Sequence, residues 1–478
     1  KQKTAYEIGV RLVGSEMCIR DRYDNNLREP SAYLVHQKGR GAPRISGVRM
    51  KPKPRRTTKD QPVIGWELDL ALDPNHDLVR LATKIPWDDL AQEFGRLYVP
   101  DLGRPGIPIR LMAGLHLLKH TYGLSDEDVV KGWVENPYWQ HFCGEVMFQH
   151  HFPIHPSQMT RWRRRIGEKG VEKLLEATIT AGKATGTITE RSFEKVIVDT
   201  TVQPKAVQHP TDARLYRKVH AAMLRIAGLE GIKLRQSYRN LMDWGFRKHG
   251  GHAKAKQFKR AKRVLKSLKT MAGRVMRDVE RKIDDAGFQK HRGTLILSHL
   301  ILTQKRTTKG KVYSLHAPEV ECIAKGKAHK PYEFGVKASL AVTHKEGFVV
   351  GAMSCPENPY DGHTLERQLE QVEQLTGRMP ATTFVDKGYK GHGVDPGRSA
   401  VLISGTRRLS KMLKRDLRRR AAIEPELGHM KSDGLLGRNF LKGVVGDAQN
   451  VILSGAGHNM RKIPVSYTHL TLPTNREV

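Results

Sequence analysis

The sequence predicts a mixed α/β protein in which an all-helical N-terminal domain precedes a mixed sheet that is interrupted by a long helical insertion. Helical periodicity dominates residues 65–190, and short β-branched runs begin near residue 193. About a hundred residues with a helical pattern then separate the first of these runs from the next. The order of these patterns predicts one helical unit followed by one α/β unit.

Both ends of the sequence lack the patterns of a fold. Residues 1–22 and 465–478 resemble translated sequencing adapters, and residues 23–49 show no apolar periodicity. Met50 opens a basic, proline-interrupted leader and would make a natural start, so we expect residues 23–64 to be upstream read-through and leader. The stretch from Met50 to about residue 464, of about 415 residues, suffices for two or three folded units.

Charge is the strongest compositional signal. The sequence has 83 Lys and Arg residues against 49 Asp and Glu residues, which gives a formal net charge of +34. A surplus of this size is matched most simply by a polyanion, because Lys and Arg neutralise phosphates when proteins bind DNA. We therefore expect double-stranded DNA as the partner, and a ribosomal or merely basic soluble protein is the alternative.

Cysteine usage and hydropathy argue against secreted and membrane proteins. The four cysteines show no closely spaced framework, and Cys18 lies in the adapter-like start. No run of about 18 apolar residues is present, and neither a signal peptide nor a stop-transfer pattern is visible. We expect a protein that works in the cytoplasm, at the chromosome.

Residues 65–190 predict a DNA-binding domain. Residues 110–120 place three leucines on one helical face, and Ser125 begins the next helix with a pattern that resembles a capping box. A short helix near Ser157 has four arginines opposite its apolar face: Arg161, Arg163, Arg164 and Arg165. We take Arg161 and Arg164 as candidate DNA contacts, and an ordinary amphipathic helix with a solvated basic face is the alternative.

Histidines between His141 and His155 raise the alternative of a zinc site. The interval lacks the paired Cys or His spacing of a structural zinc site. We expect its aromatic residues to pack the domain instead: Phe142, Phe148 and Phe152.

The pattern changes at residues 193–201, where FEKVIVDTT predicts a buried strand with Asp199 at its end. An aspartate that caps a turn is the alternative for this segment alone. The chain then leaves the sheet from about residue 207 to 303. Within this insertion, residues 253–283 repeat apolar side chains every 3.5 residues, from Phe258 to Val279, which predicts a helical hairpin or coiled-coil arm.

The exposed faces of the predicted arm are strongly cationic. Such a helix repels itself unless a polyanion lies alongside, so we expect four residues to contact DNA: Lys259, Arg260, Lys262 and Arg263. A solvated face on a packing arm is the alternative.

The sheet pattern resumes after the insertion. The predicted elements are strands at 332–342 and 348–353, a helix at 362–376, and strands at 382–386 and 400–403. Asp386 ends the first strand after that helix, and Tyr389 beyond it either closes a turn or stacks on a splayed base. Glu424, ahead of Pro425, suits the start of a helix.

Three distant acids can form one site after folding: Asp199, Asp386 and Glu424. Single carboxylates from separate elements suit a pair of Mg²⁺ ions, for which Mn²⁺ would substitute, and paired ions serve displacement at a phosphodiester. Local chemistry alone does not choose between Glu424 and Glu426 as the third ligand.

The segment RAAIEPELGHMK, which begins at Arg420, fits the Arg-x3-Glu-x6-Lys motif of bacterial insertion-sequence transposases of the DDE class. The sequence resembles the insertion-sequence-five type in particular, through segments such as VDTTVQPKAVQHPTDA and FVDKGYKGH. This resemblance implies a ribonuclease H-like catalytic domain over residues 191–464. The offsets of Arg420 and Lys431 favour Glu424 over Glu426, whereas Leu417 departs from the tyrosine that is usual at its position.

The resemblance implies a transposase that binds the terminal inverted repeats of an insertion sequence. Such an enzyme cleaves DNA with two divalent metal ions and transfers the 3′-hydroxyl ends to target DNA, while Arg420 and Lys431 contact phosphates. Because the two ends must be paired, it implies a homodimer or a larger assembly on DNA. A catalytically silent domesticated DNA-binding protein and a metal-dependent nuclease without strand transfer are the alternatives.

Overall fold

The structure, a computed structural model, describes residues 67–99, 106–305, 307–327 and 330–471. The predicted adapter-like start, the leader and Met50 lie outside these residues. So does the end of the second adapter-like stretch, residues 472–478.

Helices form the described N-terminal part, as the periodicity predicts. They are α1 (Leu68–Ala71), α2 (Asp77–Ala82), α3 (Trp87–Gly95), α4 (Ile109–Thr121), α5 (Asp126–Glu135), α6 (Pro137–Phe142) and α7 (Ser157–Ala184). The Ser125 hydroxyl accepts a hydrogen bond from the Asp128 backbone N–H at 3.0 Å and so caps α5. Asn136 ends α5 and caps α6. The sequence analysis did not predict α6, whose first residue is a proline, a favoured residue at that position.

Helix α7 is much longer than the short helix predicted, and it bends at Gly167, where φ is 66°. Its apolar positions Met159, Trp162 and Ile166 are buried, as predicted. Arg163 is not on the exposed face: it is 3% exposed and forms an ion pair with Asp126. The prediction for Arg163 was wrong because a buried carboxylate on α5 stabilises its charge.

Of the aromatic residues that were predicted to pack the helical domain, Phe142 does so and Phe152 does not. Phe142 is fully buried, whereas Phe152 is 66% exposed. Phe148 is partly buried and packs edge-to-face with His150 at 4.9 Å. The connection to α7 therefore leaves Phe152 outside the core.

Six strands form one mixed sheet in the described residues. They are β1 (Lys195–Pro204), β2 (Glu321–Lys327), β3 (Lys330–Thr343), β4 (Val349–Cys355), β5 (Thr382–Val385) and β6 (Ala400–Ile403). Strand β1 pairs antiparallel with β3 and parallel with β5, and β6 continues the parallel side. Strands β2 and β4 pair with different parts of β3. Strand β2 was not predicted, because its sequence ECIAKGK has no apolar alternation.

The insertion between β1 and β2 is a helical cluster with its own hydrophobic core. It consists of α8 (Asp212–Leu229), α9 (Arg239–Lys254), α10 (Phe258–Lys282) and α11 (Asp285–Thr303). Helices α9 and α10 are separated by a short connection and pack on each other, which agrees with the predicted helical hairpin. Helix α10 also packs on α8, so it is not an isolated coiled-coil arm. Phe258, the first residue of the predicted seam, is 70% exposed, whereas Leu268, Ala272 and Val275 are buried as predicted.

The C-terminal helices join the N-terminal helices to the sheet. They are α12 (Asp361–Thr376), α13 (Lys411–Arg419), α14 (Ile423–Ser432) and α15 (Gly443–Thr471). Helix α15 packs against α4, α7 and β4. One hydrophobic core runs from the N-terminal helices through the sheet to α15, so residues 65–190 and 191–464 share it.

Candidate functional site

Asp199 and Asp386 lie side by side on neighbouring parallel strands. Ile197 of β1 pairs with Phe384 of β5, and each aspartate lies two residues farther along its strand direction. Asp386 directly follows β5, as predicted. Asp199 is the fifth residue of the ten-residue strand β1 rather than its end, because the strand continues to Pro204 through its pairing with β3.

The Asp199 carboxylate is largely buried and lies near other acidic side chains. Burial and the neighbouring Asp386 carboxylate raise the pKa of Asp199 to about 6. The Thr200 backbone N–H, 2.8 Å from Asp199 Oδ1, and the Arg420 guanidinium act in the opposite direction. Burial and the neighbouring negative charge therefore outweigh the groups that stabilise the ionised form of Asp199.

Arg420 lies between Asp199 and Glu424. One guanidinium nitrogen donates to Asp199 Oδ2 at 3.4 Å, and the other lies 3.8 Å from Glu424 Oε1. Glu424 is the second residue of α14, near the helix start expected for it, and its side chain is 68% exposed.

Glu426 faces a different environment from Glu424. Lys462 donates to its Oε1 at 2.6 Å, and His458 Nε2 lies 3.0 Å from its Oε2. Burial opposes ionisation of Glu426, but these two contacts hold the pKa of its carboxyl below the usual range. Glu426 thus connects α14 to α15, whereas Glu424 is directed to Arg420.

Helices α13 and α14 are attached to the sheet at several points. Lys195 at the start of β1 donates to Asp416 of α13 at 2.7 Å. Arg419 donates to the backbone carbonyls of His344 and Lys345 in the turn between β3 and β4. These contacts fix the position of Arg420, which follows directly in the chain.

The structure adds Asp361 and Lys337 to the site, and the sequence analysis did not predict either. Asp361 is the first residue of α12, and its Oδ1 accepts hydrogen bonds from the Thr200 hydroxyl at 3.0 Å and from Lys337 Nζ at 2.9 Å. An aspartate at a helix start is common for reasons of local structure, so no sequence signal distinguished this one.

Tyr389 is fully buried, in a 3-10 turn after β5. Among the described residues, its hydroxyl has no hydrogen-bond partner. Burial, and then the charges of Asp199, Asp361 and Asp386, raise the pKa of Tyr389 well above its ordinary value. A ring with this burial closes the turn and does not stack on an exposed base.

The residues at the site have the chemistry that a hard divalent cation requires, although their positions do not yet form a coordination sphere. No group of three or more His, Cys, Asp or Glu side chains in the described ranges is already arranged to hold a metal ion. The donors are carboxylate oxygens, which Mg²⁺ prefers, and Arg420 places a positive charge between two of them. The exposed Glu424 side chain would have to move toward Asp199.

The predicted DNA contacts lie on exposed surfaces. Arg161 and Arg164 are exposed on α7, and four residues are exposed near the start of α10: Lys259, Arg260, Lys262 and Arg263. Lys431 is partly exposed in the last turn of α14. Arg420 also lines an open cleft beside the end of β6, together with Lys414 and Arg418. This cleft suits an anionic group.

Two of the histidines that raised a zinc alternative bond to other side chains. His141 lies 3.0 Å from Asp69, and His155 bonds to the Ser157 hydroxyl. Cys143 is buried in the helical core, and burial raises its pKa to about 12. A thiol with this pKa is a poor metal ligand at neutral pH.

Two comparisons found proteins or families that are similar to this chain. The family model described as "Transposase domain (DUF772)" matches residues 66–165, which span α1 to the first part of α7. A Rhizobium meliloti protein, "Uncharacterized protein ORF8 in nfe locus", is 52% identical over 191 residues, or 40% of this chain and 92% of that protein. No solved structure matches the chain.

None of the helices in the described ranges is long and apolar enough to cross a membrane.

The identity and coverage of the Rhizobium protein are sufficient to establish common family membership. The chain belongs to the same family as that protein, and its residues 66–165 match a domain that is described as a transposase domain.

Proposed function

We propose that the protein is a DDE transposase of the insertion-sequence-five type, with a ribonuclease H-like catalytic domain. It binds the terminal inverted repeats of its element, cleaves DNA strands and joins the 3′-hydroxyl ends to target DNA. The observation that carries this proposal is the adjacency of Asp199 and Asp386 on two parallel strands, with Glu424 connected to Asp199 through Arg420. The antiparallel neighbours on one side of β1 and the parallel neighbours on the other support the proposed fold.

In this proposal, Asp199, Asp386 and Glu424 hold two Mg²⁺ ions, for which Mn²⁺ substitutes. Such ions activate an attacking oxygen and stabilise a departing one at a phosphodiester. Asp199 and Asp386 lie within electrostatic range of each other, and each follows a paired position of β1 and β5 by two residues, which supports a shared ion. Glu424 lies on an exposed helix start and can rotate toward them once DNA phosphates draw Arg420 away.

The basic residues bind and orient the DNA. Arg420 and Lys431 contact phosphates next to the carboxylates, and the cleft that contains Lys414 and Arg418 extends this cationic surface. Arg161 and Arg164 on α7 and the basic start of α10 contact DNA farther from the carboxylates. Because two element ends must be cut together, we propose a homodimer or larger assembly on DNA, in the bacterial cytoplasm at the nucleoid.

The proposal predicts that binding and cutting separate in variants of the carboxylates. Asp199→Ala and Asp386→Ala should each reduce Mg²⁺-dependent nicking of an inverted-repeat duplex by at least about 10³-fold, because each removes a ligand of the reacting ions. End binding, measured by gel shift in EDTA, should change by less than about threefold. Asp212→Ala, at the exposed first residue of α8, is the matched control.

Three results would oppose the proposal. Equal loss of binding and nicking would make the aspartates structural. Wild-type binding without any metal-dependent nicking would favour a silent DNA-binding protein. Nicking without joined products would favour a nuclease that lacks strand transfer.

A further inference from the structure

Asp361 and Asp386 approach one point from two different elements. A Cβ placed on Gly388 would lie 2.9 Å from Asp386 Oδ1 and 3.1 Å from Asp361 Oδ2. The two carboxylate oxygens are therefore no more than about 6 Å apart. Glycine at this position leaves a space between them that any other side chain would fill.

The side chain of Asp361 is held in a fixed orientation. Thr200 and Lys337 both donate to its Oδ1, while Oδ2 is the oxygen that lies near Gly388. Lys337 also donates to the Pro359 carbonyl at 2.6 Å, so it is itself anchored. This arrangement orients one oxygen of Asp361 toward Asp386.

The Tyr389 hydroxyl is a second, independent observation at the same place. The side chain is fully buried, and its hydroxyl has no hydrogen-bond partner among the described residues. It lies within electrostatic range of Asp199, Asp361 and Asp386. A buried hydroxyl without a partner costs free energy unless a ligand or an ordered water completes its hydrogen bond.

The charges at this place do not balance. Four carboxylates lie at this place: Asp199, Asp361, Asp386 and Glu424. Among the described residues, the cationic side chains that form ion pairs with them are Arg420 and Lys337. The surplus negative charge favours a cation that binds between Asp361 and Asp386.

We propose that Asp361 is a fourth carboxylate of the site and binds a divalent cation together with Asp386. The Tyr389 hydroxyl donates a hydrogen bond to a water on that cation, and Lys337 is the counter-charge of Asp361 in the metal-free protein. This inference rests on the proposed function, because it assigns a further residue to the same site. It requires only a small approach of two side chains.

Titration of the full-length protein with Mn²⁺, followed by electron paramagnetic resonance, tests the inference without any activity assay. Asp361→Asn should weaken Mn²⁺ binding at least tenfold, and Tyr389→Phe about threefold. Lys337→Met should strengthen it about threefold or more, because the variant leaves Asp361 without its counter-charge. Asp212→Asn, the first residue of another helix, should leave the affinity unchanged.

Asp361→Asn and Lys337→Met should change Mn²⁺ affinity in opposite directions, and this difference distinguishes a metal ligand from a structural residue. If Asp361 and Lys337 form only a structural ion pair, both variants will lower the unfolding temperature and neither will change Mn²⁺ affinity, which would overturn the inference. If Asp361→Asn does not fold, unchanged affinity in Lys337→Met would overturn it by itself. Loss of Mn²⁺ binding in Asp199→Asn but not in Asp361→Asn would overturn this inference and leave the proposed function intact. Absence of Mn²⁺ binding in the wild type would overturn both the inference and the proposed function.

Discussion

Individual residues of the site are arranged at a cost to stability. Asp199 has two acidic neighbours, and burial with their charges raises its pKa to about 6. A carboxyl whose pKa is raised in the folded protein stabilises the fold while it is protonated, and this contribution is lost as the pH rises. Such destabilised groups are found where a ligand later supplies the missing charge.

Asp199→Asn should therefore stabilise the metal-free protein. In EDTA, the contribution of Asp199 is fully present below pH 4 and is lost as the pH rises to about 6. At pH 7.5 the variant should gain about 1–3 kcal/mol in the free energy of unfolding, and the fall between pH 4 and 6 should become smaller. Urea unfolding across this pH range measures both effects, and an unchanged profile would contradict the crowding described for Asp199.

The sequence offered candidate site residues but not their surroundings. Motif offsets favoured Glu424 over Glu426, and in the structure Glu424 lies beside Arg420 whereas Glu426 contacts α15. Asp361 and Lys337 carried no signal, because their relation to Asp386 arises from sheet pairing and from the position of α12. Arg163 was placed on the wrong face because its partner, Asp126, is 37 residues away in the sequence.

At the scale of an element, α14 has two acidic positions with different contacts. Glu426 is attached to α15 through His458 and Lys462, whereas Glu424 is exposed beside Arg420. Removal of one partner of a partly buried ion pair leaves the charge of the other partner uncompensated.

Glutamine variants of these two positions should have opposite effects. Glu426→Gln should lower the free energy of unfolding by about 1–3 kcal/mol and retain nicking at a temperature where the protein is folded. Glu424→Gln should change stability by less than about 0.5 kcal/mol because the side chain is exposed, and it should abolish nicking if Glu424 is the third ligand that we propose. Each variant is the control for the other, and loss of nicking in Glu426→Gln alone would exchange the assigned roles.

Helix α10 has a buried face, as its period predicted, but its packing partners did not follow from the sequence. A repeat of 3.5 residues indicates one narrow contact, whereas α8 and α9 both pack on α10. The sequence pattern shows which residues are apolar, and only the tertiary arrangement decides how many helices they contact.

The basic start of α10 provides a test on DNA of any sequence. Replacing Lys259, Arg260, Lys262 and Arg263 by Gln should lower affinity and reduce the slope of log K against log salt by up to about 3–4, since each phosphate contact contributes about 0.9. A control variant that exchanges Lys for Arg and Arg for Lys at the same positions should retain the slope. An unchanged slope in the glutamine variant would indicate that this face of α10 is solvated and does not contact DNA.

Over the whole molecule, the parts are joined by buried contacts. One core includes the N-terminal helices, the sheet and α15. Lys205 at the end of the sheet pairs with Glu319, which follows the insertion, and with Asp447 of α15, at 2.7 Å and 2.6 Å. The order of strands and helices was predictable from local patterns, but this continuity was not, because it depends on contacts between distant segments.

The most direct measurement is a joining assay with a duplex that ends in the element's inverted repeat and a supercoiled target plasmid. The account predicts joined products that require Mg²⁺ or Mn²⁺ and disappear in Asp199→Ala and Asp386→Ala, while both variants still bind the duplex. Joined products that persist in either variant, or a folded wild type that binds the duplex and never joins it, would contradict the account.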